Sequence, residues 1–166
     1  MPRGFTLFEL VLTTAVISIL LMAAAPNFSR LIEQQEIKRL SGEVEGFFIQ
    51  AKSESVLQNK SLKVFYIVES NDWIISLNPE GSTIGSIADI KLSSLSYIQS
   101  QDYPNLFISS SVLSLTFNPV RATPHMPASF LIYKNTNEKL KLSIHNITGR
   151  ITVCGEGGVY YDFKSC

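Results

Sequence analysis

Histidine and cysteine are scarce, with two of each in 166 residues. No stretch reads HExxH or CxxC, and neither a Walker loop nor a GxGxxG fingerprint occurs. His125 and His145 stand apart from any acid–nucleophile constellation and read as surface or strand residues. The glycines at Gly81 and Gly85 are too sparse to cradle a phosphate and read as an ordinary turn. Net charge is lacking as well: fourteen basic residues stand against fourteen acidic ones. That balance excludes a bulk electrostatic attraction to nucleic acid. No internal repeat or low-complexity tract is present. The expectation is therefore a protein without enzymatic activity, cofactor or metal site.

Long apolar runs are also lacking, except for one. Gly4 to Pro26 reads GFTLFELVLTTAVISILLMAAAP, and from Phe5 to Ala25 every residue is apolar or small apart from Glu9. At about 1.5 Å of rise per residue, 5–25 makes a helix of roughly 30 Å, enough to cross a bilayer core. Arg3 precedes it, so the positive-inside rule puts the N-terminus in the cytoplasm and the rest of the chain outside. The remaining length allows one compact domain of about 100–140 residues. In an oxidising compartment, the even and closely spaced pair Cys154 and Cys166 reads as a disulfide closing a short loop. Loop-closure entropy makes such a bridge worth about 2–3 kcal/mol, and two free thiols are the alternative.

Glu9 is the residue that does not fit a simple anchor. A carboxylate inside a transmembrane helix costs on the order of 2.5–3.5 kcal/mol on insertion scales, so it needs a partner or access to water at the interface. The hexapeptide Gly4-Phe5-Thr6-Leu7-Phe8-Glu9 resembles the class III signal of type IV pilins and type II secretion pseudopilins. The resemblance implies a leader of residues 1–4, cut between Gly4 and Phe5 by a prepilin peptidase that also methylates the new amine of Phe5. It implies that Glu9 pairs with the terminal amine of a neighbouring subunit, which gives the buried charge its partner. A conventional secretory cleavage after Ala23-Ala24-Ala25 is the rival reading. The run is about twice a usual h-region, carries an early Glu, and would leave Pro26 after the cut. A plain transmembrane anchor has no need of the hexapeptide.

Beyond Pro26, the segment 26–60 keeps a helical period. Phe28, Leu31, Ile32, Leu40, Val44, Phe47, Phe48 and Ala51 recur three and four apart, giving one apolar face. Pro26 removes a helix hydrogen bond and is expected to bend or open the helix as it leaves the membrane. Asn59-Lys60 ends the pattern. From 61 to 166 the period is two. Strands are expected at 62–68, 72–77, 106–108, 112–117, 129–133, 140–145 and 150–154, the last three as an antiparallel meander. Residues 78–89 read as loop, and 91–105 as a serine-rich loop with one short strand around 92–98.

A long helix followed by successive β segments is an α+β arrangement, with a sheet laid on the helix stripe. This order resembles the pilin fold, in its GspH/FimT branch, whose landmarks are Phe117-Asn118-Pro119 and the late Thr148-Gly149-Arg150-Ile151-Thr152-Val153-Cys154. The resemblance implies a bacterial inner-membrane protein with a periplasmic domain that enters a type IV pilus or a type II secretion pseudopilus. Its partners would be other minor pilins or pseudopilins and the assembly machinery; the late Gly-Arg and the terminal cysteine lean toward the pilus. FimT-like relatives bind DNA through a Gly-Arg-x-Arg element and a basic tail. Here Gly149-Arg150 keeps the first arginine, Thr152 replaces the second, and the tail bearing Lys164 also carries Glu156 and Asp162. Two readings of this element stand: a DNA contact through Arg150 and Lys164, or a positive-φ turn at Gly149 with Arg150 paired to a carboxylate. Asn146-Ile147-Thr148 fits a glycosylation sequon but sits in a hairpin turn and is set aside as a chance triplet.

Overall fold

A computed structural model of the chain describes residues 6–83 and 85–166, the side chains of residues 23–27 excepted. It divides into two compact units, Met1–Glu36 and Ile37–Cys166. Helix α1, Leu7–Leu57, contributes to both. Thr6 caps its start: the N–H of Glu9 donates to the Thr6 hydroxyl at 3.2 Å, satisfying one of the first-turn donors. Its end is a Schellman closure. Asn59 takes a left-handed φ of 50°. Its N–H reaches the Val56 carbonyl, and the Lys60 N–H reaches that of Ser55. This is where Asn59-Lys60 was expected to stop the helix. The bend expected at Pro26 falls among residues 23–27 and the cleavage point at Gly4 and Phe5 among residues 1–5, both outside the described residues.

In the first unit the described residues from Leu7 onward are helix. The second builds eight strands on the remainder of α1: β1 Leu62–Glu69, β2 Asp72–Pro79, β3 Ser96–Gln99, β4 Phe107–Ser110, β5 Ser114–Phe117, β6 Ala128–Tyr133, β7 Lys139–Ile144 and β8 Ile151–Gly155. Among the described residues these strands pair with one another antiparallel throughout, and an isolated bridge between Gly155 and Ser165 is parallel. The strands form two four-stranded sheets, ordered β3-β2-β1-β5 and β4-β6-β7-β8, where one sheet was expected. The β6-β7-β8 meander is as read from the sequence. The second sheet arises because the chain changes sheets between β3 and β4 and again on either side of β5.

The core follows from the two periods. Ile37, Leu40, Val44, Phe47, Phe48 and Ala51 of α1 are buried with Val64, Tyr66, Trp73, Ile75 and Leu77 of the first sheet. Phe130, Ile132, Leu140, Leu142 and Ile144 of the second sheet complete it. The Phe48 ring lies 4.9 Å from that of Phe130, and Tyr66 meets Phe130 edge-on at 6.1 Å. Each large side chain so buried contributes about 1.5–3 kcal/mol before chain entropy is set against it. Phe28, Leu31 and Ile32, assigned to the same helix face from the sequence, are exposed instead. The buried face starts at Ile37.

Two side chains of the first sheet reach the edge of the second. The Trp73 indole donates to the Leu106 carbonyl at 2.9 Å, and the Tyr66 hydroxyl donates to the Ile108 carbonyl. Both carbonyls lie on the side of β4 that β6 leaves unused. The opposite face of the first sheet is covered by a short helix, α2, Ile87–Ser93, which replaces part of the two loops expected there. Ser86 and Asp89 form a reciprocal capping box at its start. The Ser86 hydroxyl and N–H hold the Asp89 carboxyl below the usual range. Ile90 is its one buried residue, on the side of Phe65 and Ile74. With α2 in place, the strand expected around 92–98 begins only at Ser96.

Candidate assembly and binding surfaces

In the first unit, the helix from Leu7 to Met22 presents its apolar side chains outward. Leu7 is 82% exposed, Phe8 75% and Met22 80%, and Glu9 in the first turn is exposed with them. The polar residues in this stretch turn inward on their own backbone. Thr13 donates to the Leu10 carbonyl, Thr14 to that of Val11 and Ser18 to that of Thr14. A helix that satisfies its own hydroxyls in this way suits an apolar surrounding. Among the described residues, no helix is long and apolar enough to cross a membrane. The apolar run of the sequence continues to Ala25, among residues whose side chains lie outside that description. Thr6 is the residue sequence reasoning missed here, although the spacing Thr6-x-x-Glu9 is that of a capping box.

At the other end of the chain, Cys154 and Cys166 are disulfide-bonded, with their Cα atoms 5.1 Å apart. The bond returns the tail to β8, where Gly155 donates to Lys164 and accepts from Cys166. The Asp162 carboxylate pairs with Lys38 of α1, so the tail is tied to the part of the helix that lies in the second unit. Lys164 is exposed. Gly149 has a φ of +63°, and its carbonyl accepts from Lys52 at 3.2 Å. The positive-φ turn is thus as expected. The ion pair is not: Arg150 is exposed, and among the described residues no carboxylate lies within pairing distance of it.

Near the start of the second unit, Tyr103 is buried against α1, donating to the Glu43 carboxylate and accepting from Arg39 Nε at 3.3 Å. Burial, then the bond to Glu43, pushes its phenol upward; the bond to Tyr103 raises the Arg39 guanidinium. The trio fastens the Ser100–Asp102 turn to the helix and holds no nucleophile. His125 and His145 are exposed in separate loops. No group of three metal-ligating side chains converges among the described residues.

A long helix packed on antiparallel sheets in this order is the pilin fold. A solved structure that shares it is the type IV minor pilin FimU of Pseudomonas aeruginosa strain PAO1. The two are 24% identical, with a TM-score of 0.57 over 73% of this chain and 90% of that one. No protein-family model matches the sequence, and neither does any curated protein.

Proposed function

We propose that this chain is a minor pilin-type assembly subunit. It is made as a precursor with the leader 1–4, cut between Gly4 and Phe5 by prepilin peptidase and methylated on Phe5. Residues 5–25 anchor it in the bacterial inner membrane, with the second unit in the periplasm. From there it joins other minor pilins in a type IV pilus; a GspH-like place in a type II secretion pseudopilus is the alternative. One observation carries the reading: a pilin fold whose helix begins with an outward apolar surface and a lone carboxylate, Glu9, in its first turn. Helix packing among subunits covers that surface, and a neighbour's N-terminal amine neutralises Glu9. Mass spectrometry of the mature protein tests the processing, with an N-terminus at Phe5 carrying one methyl group as the expected result. Retention of Met1, or a cut before Ala24 or Pro26, refutes it. Glu9→Ala is expected to insert and be cleaved yet stay out of filaments, and normal incorporation refutes its pairing role.

A second reading, DNA binding through Arg150 and Lys164, is favoured by the exposed guanidinium of Arg150, which has no ion-pair partner among the described residues. Gel shift at low and moderate salt decides it. Binding lost on neutralising both residues supports it, and no binding at low salt removes it.

A further inference from the structure

A groove of about 510 Å³ opens on the second unit between the loop 118–125, the start of β1 and the β7–β8 turn. Its walls include Ser61, Glu80, Asn118, Arg121, His125 and Asn146. The hydrogen-bonding capacity of these walls is lopsided. Asn118 uses its side-chain carbonyl on the N–H groups of Val120 and Arg121, at 2.9 and 3.0 Å, which leaves its Nδ2 as a donor. His125 Nδ1 lies 3.0 Å from the Thr116 N and 3.3 Å from the Thr116 carbonyl oxygen. The shorter contact has the Thr116 N–H donating to Nδ1, and with Nδ1 so engaged the ring's proton is assigned to Nε2, again a donor. Arg121 can only donate, and it pairs neither with Glu80 nor with any other described carboxylate. Three donor side chains from one loop therefore share a groove whose single carboxylate is Glu80.

The loop that carries them is held in place. Asn118 and Thr123 are joined backbone to backbone at 2.9 Å, Ala122 donates to Asn118 at 2.9 Å, and His125 donates to Thr116 at 3.0 Å. Ala122 takes a φ of 53°, a left-handed conformation that an L-residue keeps only where its surroundings impose it. Ile147 lines the groove, and Val120 lies in the same loop between Asn118 and Arg121; each is 85% exposed, an uncommon choice for turn positions.

We propose that this groove binds a carboxylate borne by a polypeptide partner, with Arg121, His125 Nε2 and Asn118 Nδ2 as the donors. Val120 and Ile147 contact apolar side chains beside that carboxylate. Glu80 offsets the charge of Arg121, which suits a single carboxylate and disfavours a doubly charged phosphate. The exposed apolar pair favours a polypeptide over a small free anion. The site uses none of the residues proposed for processing and assembly, Gly4, Phe5 and Glu9.

The test uses the full chain, isotope-labelled, in detergent micelles, and follows the Asn118 side-chain amide and the His125 ring by NMR. The probes are acetate and two blocked tripeptides, Leu-Glu-Leu and Leu-Gln-Leu. The Glu peptide is expected to move both signals and to bind about tenfold more tightly than either the Gln peptide or acetate, the factor that one charge-assisted contact supplies. Arg121→Gln is expected to weaken the Glu peptide by about the same factor. Equal binding of the two peptides, unchanged binding by Arg121→Gln, or no movement of either signal overturns the site. Acetate binding as tightly as the Glu peptide overturns the polypeptide partner.

Discussion

Replacing Gly149 with alanine would set a methyl carbon 2.9 Å from the Ala122 carbonyl oxygen and 3.1 Å from Lys52 Nζ, at a φ of +63°. The left-handed conformation alone costs an alanine roughly 1 kcal/mol more than a glycine. The nearer contact is backbone, so relief requires the loop 118–125 or the β7–β8 turn to move. That movement strains the 3.2 Å bond from Lys52 to the Gly149 carbonyl, worth about 0.5–1.5 kcal/mol. Together the loss is about 2–3 kcal/mol. Three other glycines calibrate the reasoning. Gly157 has a φ of +82° with open space around it, so its alanine variant loses only the conformational part, about 1 kcal/mol. Gly42 and Gly46 lie within α1 with nothing near an added Cβ, so alanine at either should stabilise by about 0.5–1 kcal/mol. Urea unfolding of the purified full chain in detergent, followed by near-ultraviolet circular dichroism, reads all four. A Gly149→Ala variant as stable as the parent, or one less affected than Gly157→Ala, refutes the argument.

Burial pushes the Tyr66 phenol from its ordinary 10 up to about 12. Folded Tyr66 thus holds its proton more tightly than the unfolded chain does, so its contribution is complete below pH 10 and lost as pH climbs toward 12. Stability should fall across that window by on the order of 2 kcal/mol from this group. Tyr66→Phe should flatten the slope without abolishing it, since Tyr103 is raised too; an unchanged slope in denaturant titrations refutes the assignment. Trp73→Phe leaves the Leu106 carbonyl without its donor and should cost about 1–3 kcal/mol, with Leu106 and Phe107 amides exchanging faster. Cys154→Ser or Cys166→Ser opens a loop of sequence separation 12 and should cost about 3 kcal/mol, checked against reduced parent protein, which should match the variants.

Most strands were legible because one face of each is buried, as in β6 and β7, whose burial alternates residue by residue. The hidden pieces had no period to read. α2 spans seven residues with only Ile90 buried, too short for a 3.6-residue repeat to register. Ser86-x-x-Asp89 was its one local signal. The split into two sheets was also illegible, because β4 and β5 are four residues each and nothing local says which partner they take. The helix stripe was overextended to Phe28 since periodicity marks an apolar face but not where its cover begins. Among the residues proposed to function, Glu9 stood out by its charge within an apolar run, and Cys154 with Cys166 by count and spacing. The donor groove did not: Asn118, Arg121 and His125 become a set only once the loop folds back along β5.

The chain from Phe107 to Phe117 serves the second sheet with its first half and the first sheet with its second, while Trp73 and Tyr66 bolt the two together beside it. Neither layer can peel away without tearing this shared ribbon. Amide protection in both layers is therefore expected to vanish at one common denaturant concentration, so that the second unit behaves as a single mechanical block.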